Sequence, residues 1–296
     1  MDARPQVLLS IDFEDWHQLV HRRLGHADWD RPHPEFASQV HTLLDLLDEL
    51  GARATFFFLG ITVANYPELA RDVVARGHEA ASHGFAHVRA YEQTRDEFRT
   101  DVARSVEEIE RASGERVRAF RAPAFSLTRR TPWAYEVLAD LGFRCDSSHY
   151  DSPRIPDRVG AIPDRPYRLR LEHGELWEFP VATWGSLPIG GGAYWRLLPA
   201  PIIARGLHEF SVLYFHPYEF APTPLRASLP PAPTVQQRAL ATSRALWRNS
   251  GRGLVTQRLR HIGRRYRLVS YDQAYDDIAR RHGTRTRALS PEGVLV

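Results

Sequence analysis

Gly77-His78-Glu79-Ala80-Ala81-Ser82-His83-Gly84-Phe85-Ala86-His87 runs from a glycine through small residues into two histidines four apart. The small-residue run reads as a short buried strand, with both imidazoles just past its end. Residues at i and i+4 face one point when the backbone turns helically, and neutral imidazole is a common ligand for zinc and similar ions. Fourteen histidines make one such spacing expected by chance. The pair therefore gains its weight from what stands at the ends of the other strands.

Outward from this stretch the chain alternates. Upstream, residues 7–11 read as a buried strand ending in Asp12-Phe13-Glu14-Asp15-Trp16. A polar, proline-interrupted segment follows to Pro34, then a helical pattern carrying Leu43, Leu44, Leu46, Leu47 and Leu50 and stopped by Gly51. Residues 54–60 read as a second strand and 67–75 as a helix. Downstream, helices are expected over 94–112 and 131–141. Strands are expected over 118–123, 143–147, 176–181 and 211–215, the last running into His216-Pro217-Tyr218.

Strands separated by helices argue for parallel βα units, and seven of them for a closed or nearly closed α/β barrel. In such barrels functional side chains gather at the C-terminal strand ends. Here those ends carry Asp12, Glu14 and Asp15, then His83 and His87, then Arg121, Asp146 and His216. Polar residues at five strand ends are harder to explain as solvated turns than any one alone. The expected organisation is a barrel over residues 1–234 and a C-terminal extension, 235–296, packed on the same domain. That extension holds a helix over 235–247 and a short strand over 268–270. The glycines at 190–192 lack the lysine of a phosphate loop and read as a turn near the cleft.

Composition is that of a globular protein, 43% hydrophobic and 25% charged. The net charge of +3 comes from scattered arginines and is too small to argue for nucleic acid. The single cysteine, Cys145, excludes an internal disulfide, fits a reducing compartment and reads as a small buried apolar group rather than a nucleophile. The first residues run straight into a strand without a signal-peptide pattern. No uninterrupted apolar run approaches the roughly eighteen residues of a membrane span. The expectation is a soluble, cytoplasmic protein with no transmembrane segment.

These residues, in this order, resemble the polysaccharide deacetylase family, carbohydrate esterase family four. Leu9-Ser10-Ile11-Asp12 matches its strand-one motif, Ser82-His83-Gly84-Phe85-Ala86-His87 its histidine motif and Arg121-Ala122-Pro123 its Arg-x-Pro motif. Cys145-Asp146-Ser147-Ser148 matches the fourth motif, and Tyr214-Phe215-His216-Pro217 the fifth. A narrower resemblance, to the branch associated with exopolysaccharide loci and exosortase systems, rests on Asp12 to Trp16, Pro188-Ile189-Gly190-Gly191-Gly192 and His216-Pro217-Tyr218-Glu219.

The resemblance implies a distorted seven-stranded (β/α) barrel and a divalent metal, zinc foremost, with cobalt, manganese and nickel as other candidates. The implied activity is hydrolysis of acetyl groups, N-acetyl foremost, on a bacterial envelope or exported glycan or its precursor. His83, His87 and either Glu14 or Asp15 would hold the metal, since Phe13 stands where the family has the second of two adjacent aspartates. Asp12 would be the base, Arg121 its partner, and His216 the acid supported by Asp146. Pro123 and Ala124 would border the acetyl group, Ala124 replacing a tyrosine common in the family. Trp184 and Trp195 are candidates for sugar stacking, with core packing as the other reading. The alternatives are an amidase on the same scaffold acting on a small non-sugar or cyclic amide, and a non-catalytic glycan-binding relative.

Overall fold

The structure is a computed structural model and describes residues 4–152, 155–185 and 187–296. Seven parallel strands form its centre: β1 Gln6–Phe13, β2 Thr55–Phe58, β3 Glu79–Ser82, β4 Ala119–Phe120, β5 Cys145–Asp146, β6 Gly174–Glu178 and β7 Val212–Phe215. They lie in the order β7-β1-β2-β3-β4-β5-β6, every neighbouring pair parallel. The ends of this row meet at a parallel bridge between Val181 and Val212, where Ala182 N donates to Val212 O at 3.0 Å.

Alternation along the strands sorts side chains into two layers. On β1, Val7, Leu9, Ile11 and Phe13 pack outward against Phe36, Val40 and Leu43 of a helix. Leu8 faces inward with Phe57, Ala81, Ala119, Cys145 and Val212. Period-two geometry therefore carries Ser10, Asp12 and, just past the strand, Glu14 to the inner side. Both faces being covered, β1 is buried along its whole length, as expected for a parallel strand between helices.

The helices of the first half are α1 Trp16–Leu24, α2 Glu35–Glu49, α3 Gly60–Asn65, α4 Pro67–Ala75, α5 Arg95–Ser113 and α6 Trp133–Asp140. At the start of α5 the Thr94 hydroxyl accepts from Glu97 N, while the Glu97 carboxylate accepts from Thr94 N, a reciprocal cap. Helix α1 falls where the sequence reads as a polar loop. Its signals are local: Asp15 Oδ1 accepts from His17 N at 2.9 Å, and Gly25 closes the helix at φ 77°.

The second half adds α7 Gly192–Leu197, α8 Ala200–Gly206, α9 Val235–Asn249, α10 Gly253–Gly263 and α11 Tyr271–His282. The strand Tyr167–Leu171, which the sequence reading missed, forms an antiparallel hairpin with β6, and Thr286–Ala288 lies beyond it. Arg267–Val269 pairs with the start of β1, and α11 then sends Tyr271, Ala274 and Ile278 into the inner layer. The expected turn at 190–192 is built in: Gly191 bridges to Tyr214, and Gly192 begins α7. No helix among the described residues is long and apolar enough to cross a membrane.

Candidate active site

The inner face of β1 supplies Asp12 and Glu14. The loop after β3 supplies His83 and His87. That loop is held open by its backbone: Gly84 at φ 74° and His87 at φ 55° lie in the left-handed region. Asp101 of α5 fastens it by accepting from Phe85 N at 2.8 Å. His83 Nδ1 lies 2.7 Å from Arg121 O. A carbonyl can only accept, so Nδ1 carries the proton and Nε2 presents a lone pair, as in metal sites where the second ring nitrogen is tied back.

Glu14 is the meeting point. Its Oε2 lies 3.0 Å from His87 Nε2 and its Oε1 3.1 Å from His216 Nε2. Ligand atoms of Glu14, His83 and His87 all lie within 4.8 Å of one another. Glu14 Oε2 is buried and makes no hydrogen bond of good geometry, so an oxygen and two ring nitrogens converge without satisfying each other. That donor set fits a borderline divalent ion. Burial opposes the charge on Glu14, but His87 and His216 outweigh it and hold the carboxyl well below the usual carboxylate range. Burial drives the His83 imidazole down to about 4, keeping it neutral as a ligand must be.

Asp15 goes elsewhere. It caps α1, its Oδ1 also lies 3.3 Å from His17 Nδ1, and Tyr66 Oη donates to its Oδ2 at 3.4 Å. Of the two carboxylates left open by the sequence, Glu14 is the one brought to the imidazoles.

Arg121 donates to Asp12 Oδ1 at 2.7 Å from Nη1, to Ser147 O at 3.0 Å from Nε, and to Ser147 Oγ and Tyr271 Oη from Nη2. Its guanidinium lies over the Phe57 ring at 4.3 Å. Planar, multiply bonded and buried, it can do little else than position Asp12. His216 stands on the far side of Asp12, 3.9 Å from Asp12 Oδ2. Burial works against its protonation, yet Glu14 and Glu219 outweigh burial and lift it to about 10.

Asp146 is not the partner of His216. It accepts from Ser148 N at 3.1 Å and from Ser148 Oγ at 2.7 Å, and Ser148 Oγ accepts from Ala122 N at 2.8 Å. It thereby braces the Arg121-Ala122-Pro123 turn from behind. The acid beside His216 Nδ1 is instead Glu219, at 3.9 Å, buried and with neither carboxylate oxygen hydrogen-bonded. Its signal was available, three residues after His216 in a short turn.

These groups open into a cleft of about 290 Å³. Ala124, at φ 54°, lies on its wall, with Pro123 buried beneath. Neither candidate tryptophan is there. Trp195 is fully buried, its Nε1 donating to Ile189 O and its ring set edge-on to Phe215; β7 and α7 enclose it as core. Trp184 is exposed but leans on Gly206, away from the cleft. The aromatic walls are Trp16 and Trp247, and Arg23, Arg244 and Arg248 stand with them. Residues 235–249 place three of these five, since Arg244, Trp247 and Arg248 share one helical face. Cys145 is buried, and burial raises its thiol well above the usual range, which leaves it inert.

With this geometry in hand, residues 30–145 match the family model for polysaccharide deacetylase. The chain belongs to the polysaccharide deacetylase family. Residues 147–275 match a domain of unknown function (DUF3473), and the pairing marks the exosortase-associated branch of this family. A chitooligosaccharide deacetylase of Azorhizobium caulinodans is 28% identical over 52% of this chain and 75% of its own length. A peptidoglycan-N-acetylglucosamine deacetylase of Bacillus cereus is 28% identical over 36% of this chain and 38% of its own. The family chain thus spans well under two thirds of the second relative.

Among solved structures, a candidate polysaccharide deacetylase from Mycobacterium smegmatis superposes with TM-score 0.59 at 20% identity, covering 95% of this chain and 92% of that one. A peptidoglycan deacetylase from Bacillus subtilis gives 0.50 at 15% identity, with 94% of each chain covered. At such identities the structures speak for the fold, the family's (β/α) barrel.

Proposed function

We propose that this chain is a metal-dependent hydrolase that removes acetyl groups, N-acetyl foremost, from a bacterial envelope or exported glycan or its precursor. One observation carries the reading: Glu14, His83 and His87 turn their ligand atoms to one point, with the Asp12–Arg121 pair and His216 on either side. Family membership and the names of the relatives agree with it.

Glu14, His83 and His87 would hold a divalent ion, zinc foremost, which when bound supplies Lewis acidity toward an acetyl carbonyl and makes water more acidic. Asp12 accepts the proton of the attacking water. Arg121, 2.7 Å away, keeps Asp12 ionised, because a neighbouring cation favours the charged carboxylate. The backbone N–H of Ala124 is the donor we assign to the developing oxyanion. His216, held protonated by Glu14 and Glu219, delivers a proton to the leaving amine, without which an amine does not depart. Trp16 and Trp247 offer flat faces to sugar rings, and the three arginines beside them favour a glycan carrying negative charge.

The test is acetate release from N-acetylglucosamine oligomers and from nucleotide-linked amino sugars, with the purified chain stripped of metal and then reloaded. Metal-dependent release is the expected result. Turnover confined to small cyclic amides would make the chain an amidase of the same scaffold. Glycan affinity with no turnover would make it a binding protein.

A further inference from the structure

A second group of potential ligands stands just behind the first. Glu14 and Asp15 leave β1 in opposite directions, Glu14 toward His87 and Asp15 toward His17. Around His17 are His33 and Glu35, and ligand atoms of these three also lie within 4.8 Å of one another. His17 Nε2 is 3.5 Å from Glu35 Oε2. The His17 and His33 rings lie face to face with centroids 3.5 Å apart, 8° from parallel.

The polar atoms in this group are left wanting. His17 is 1% exposed, and its Nε2 has no hydrogen-bond partner; neither has the buried Glu35 Oε2 nor the buried His21 Nε2. An unpaired buried polar atom costs about 1–3 kcal/mol, so three at one place call for something that satisfies them. Meanwhile His17 Nδ1 is tied to the Asp15 carboxylate at 3.3 Å. A carboxylate behind one ring nitrogen fixes the tautomer and makes the other nitrogen a better ligand. His33 Nδ1 faces the Glu35 N–H at 3.3 Å, which keeps a lone pair on that nitrogen.

We propose that His17, His33 and Glu35 form a second, structural binding site for a borderline divalent transition ion such as zinc, cobalt or nickel. Two imidazoles and a carboxylate are the donors such ions take, and a tetrahedral ion needs only one further ligand. The site joins α1 to the start of α2 and closes the loop of residues 18–32 between them. That matters for the cleft, because α1 carries Trp16 and Arg23 on its wall. An ion here staples one side of the cleft without touching the reacting atoms.

The probe is the metal alone. The chelator-stripped chain is dialysed against Zn²⁺ or Co²⁺ and the bound ion counted, with thermal unfolding followed in parallel. Two ions per chain are expected for the natural sequence. The double variant His83→Ala/His87→Ala should keep one, and added Zn²⁺ should still raise its unfolding temperature. Adding Glu35→Gln or His33→Ala to that variant should remove both the ion and the temperature shift. Glu35→Gln is nearly isosteric and sits at the surface end of the group, so loss of the ion there reports ligation rather than misfolding. If His83→Ala/His87→Ala binds none, or if Glu35→Gln and His33→Ala leave the count unchanged, the second site does not exist. One ion surviving in that double variant while no acetate is released by the natural chain would uphold this site and sink the deacetylase reading instead.

Discussion

Arg121 Nη1 meets Asp12 Oδ1 at 2.7 Å, and both side chains are out of water. Asparagine at position 12 keeps the shape and gives up proton acceptance. Asp12→Asn is expected to lower kcat by at least about 10²-fold, the usual scale of a lost general base, while metal content measured on the same sample stays unchanged. Near-normal turnover would remove Asp12 from that role.

The other half of the pair is a stability prediction. Removing one partner of a buried ion pair costs about 3–5 kcal/mol, so Arg121→Ala should unfold at much lower denaturant than the natural chain. Tyr271→Phe deletes one hydrogen bond to the same guanidinium, worth about 1 kcal/mol. Urea titrations of both variants check the ranking; equal losses would mean that Asp12 is not what Arg121 chiefly serves.

His149 sets a pH dependence. Its Nε2 lies 2.7 Å from Tyr135 Oη, its Nδ1 is held by Tyr167, and burial pulls its pKa to about 3. An unfolded chain titrates this ring near about 6.5. Between those values the unfolded state takes up a proton that the folded state refuses. Stability is therefore complete above about 6.5 and falls as pH drops, by up to about 1.4 kcal/mol per unit. His149→Gln should flatten that slope between pH 6.5 and 4.5 in denaturant titrations. An unchanged slope would place the acid sensitivity elsewhere.

Two tryptophans should part company. Trp195 is core, so Trp195→Ala should cost about 3–5 kcal/mol and lower Tm. Trp247, 42% exposed on the cleft wall, should give a variant of nearly natural Tm with a raised KM toward oligomeric glycan. If Trp247→Ala leaves KM untouched, the sugar does not run along α9.

How much of this was legible beforehand follows from the physics of each residue. The ring strands were readable because buried parallel strands are near-continuous apolar runs, as at Phe56-Phe57-Phe58. The Glu14 and Asp15 ambiguity was resolvable too: the alternation that puts Leu8, Ser10 and Asp12 inward reaches Glu14 and excludes Asp15. Trp184 and Trp195 were not separable, because an aromatic side chain looks alike in sequence whether it packs or stacks. Helix α1 was hidden by its polarity, its apolar contacts being made with α9, more than two hundred residues later. Asp146 was assigned to His216 because both end strands; only the third dimension shows Ser148 taking up its carboxylate.

The strand row is joined at its two ends by little more than Val181 against Val212 and Gly191 against Tyr214, while β1 shares four residue pairs with each ring neighbour. Local opening begins where the fewest bonds must break at once. The amide protons of Ala182 and Tyr214 should accordingly trade with deuterium before those of β1 and β2. Since Tyr214 leads straight into His216, the molecule breathes next to its proton donor, and a glycan laid across that edge would slow the exchange there first.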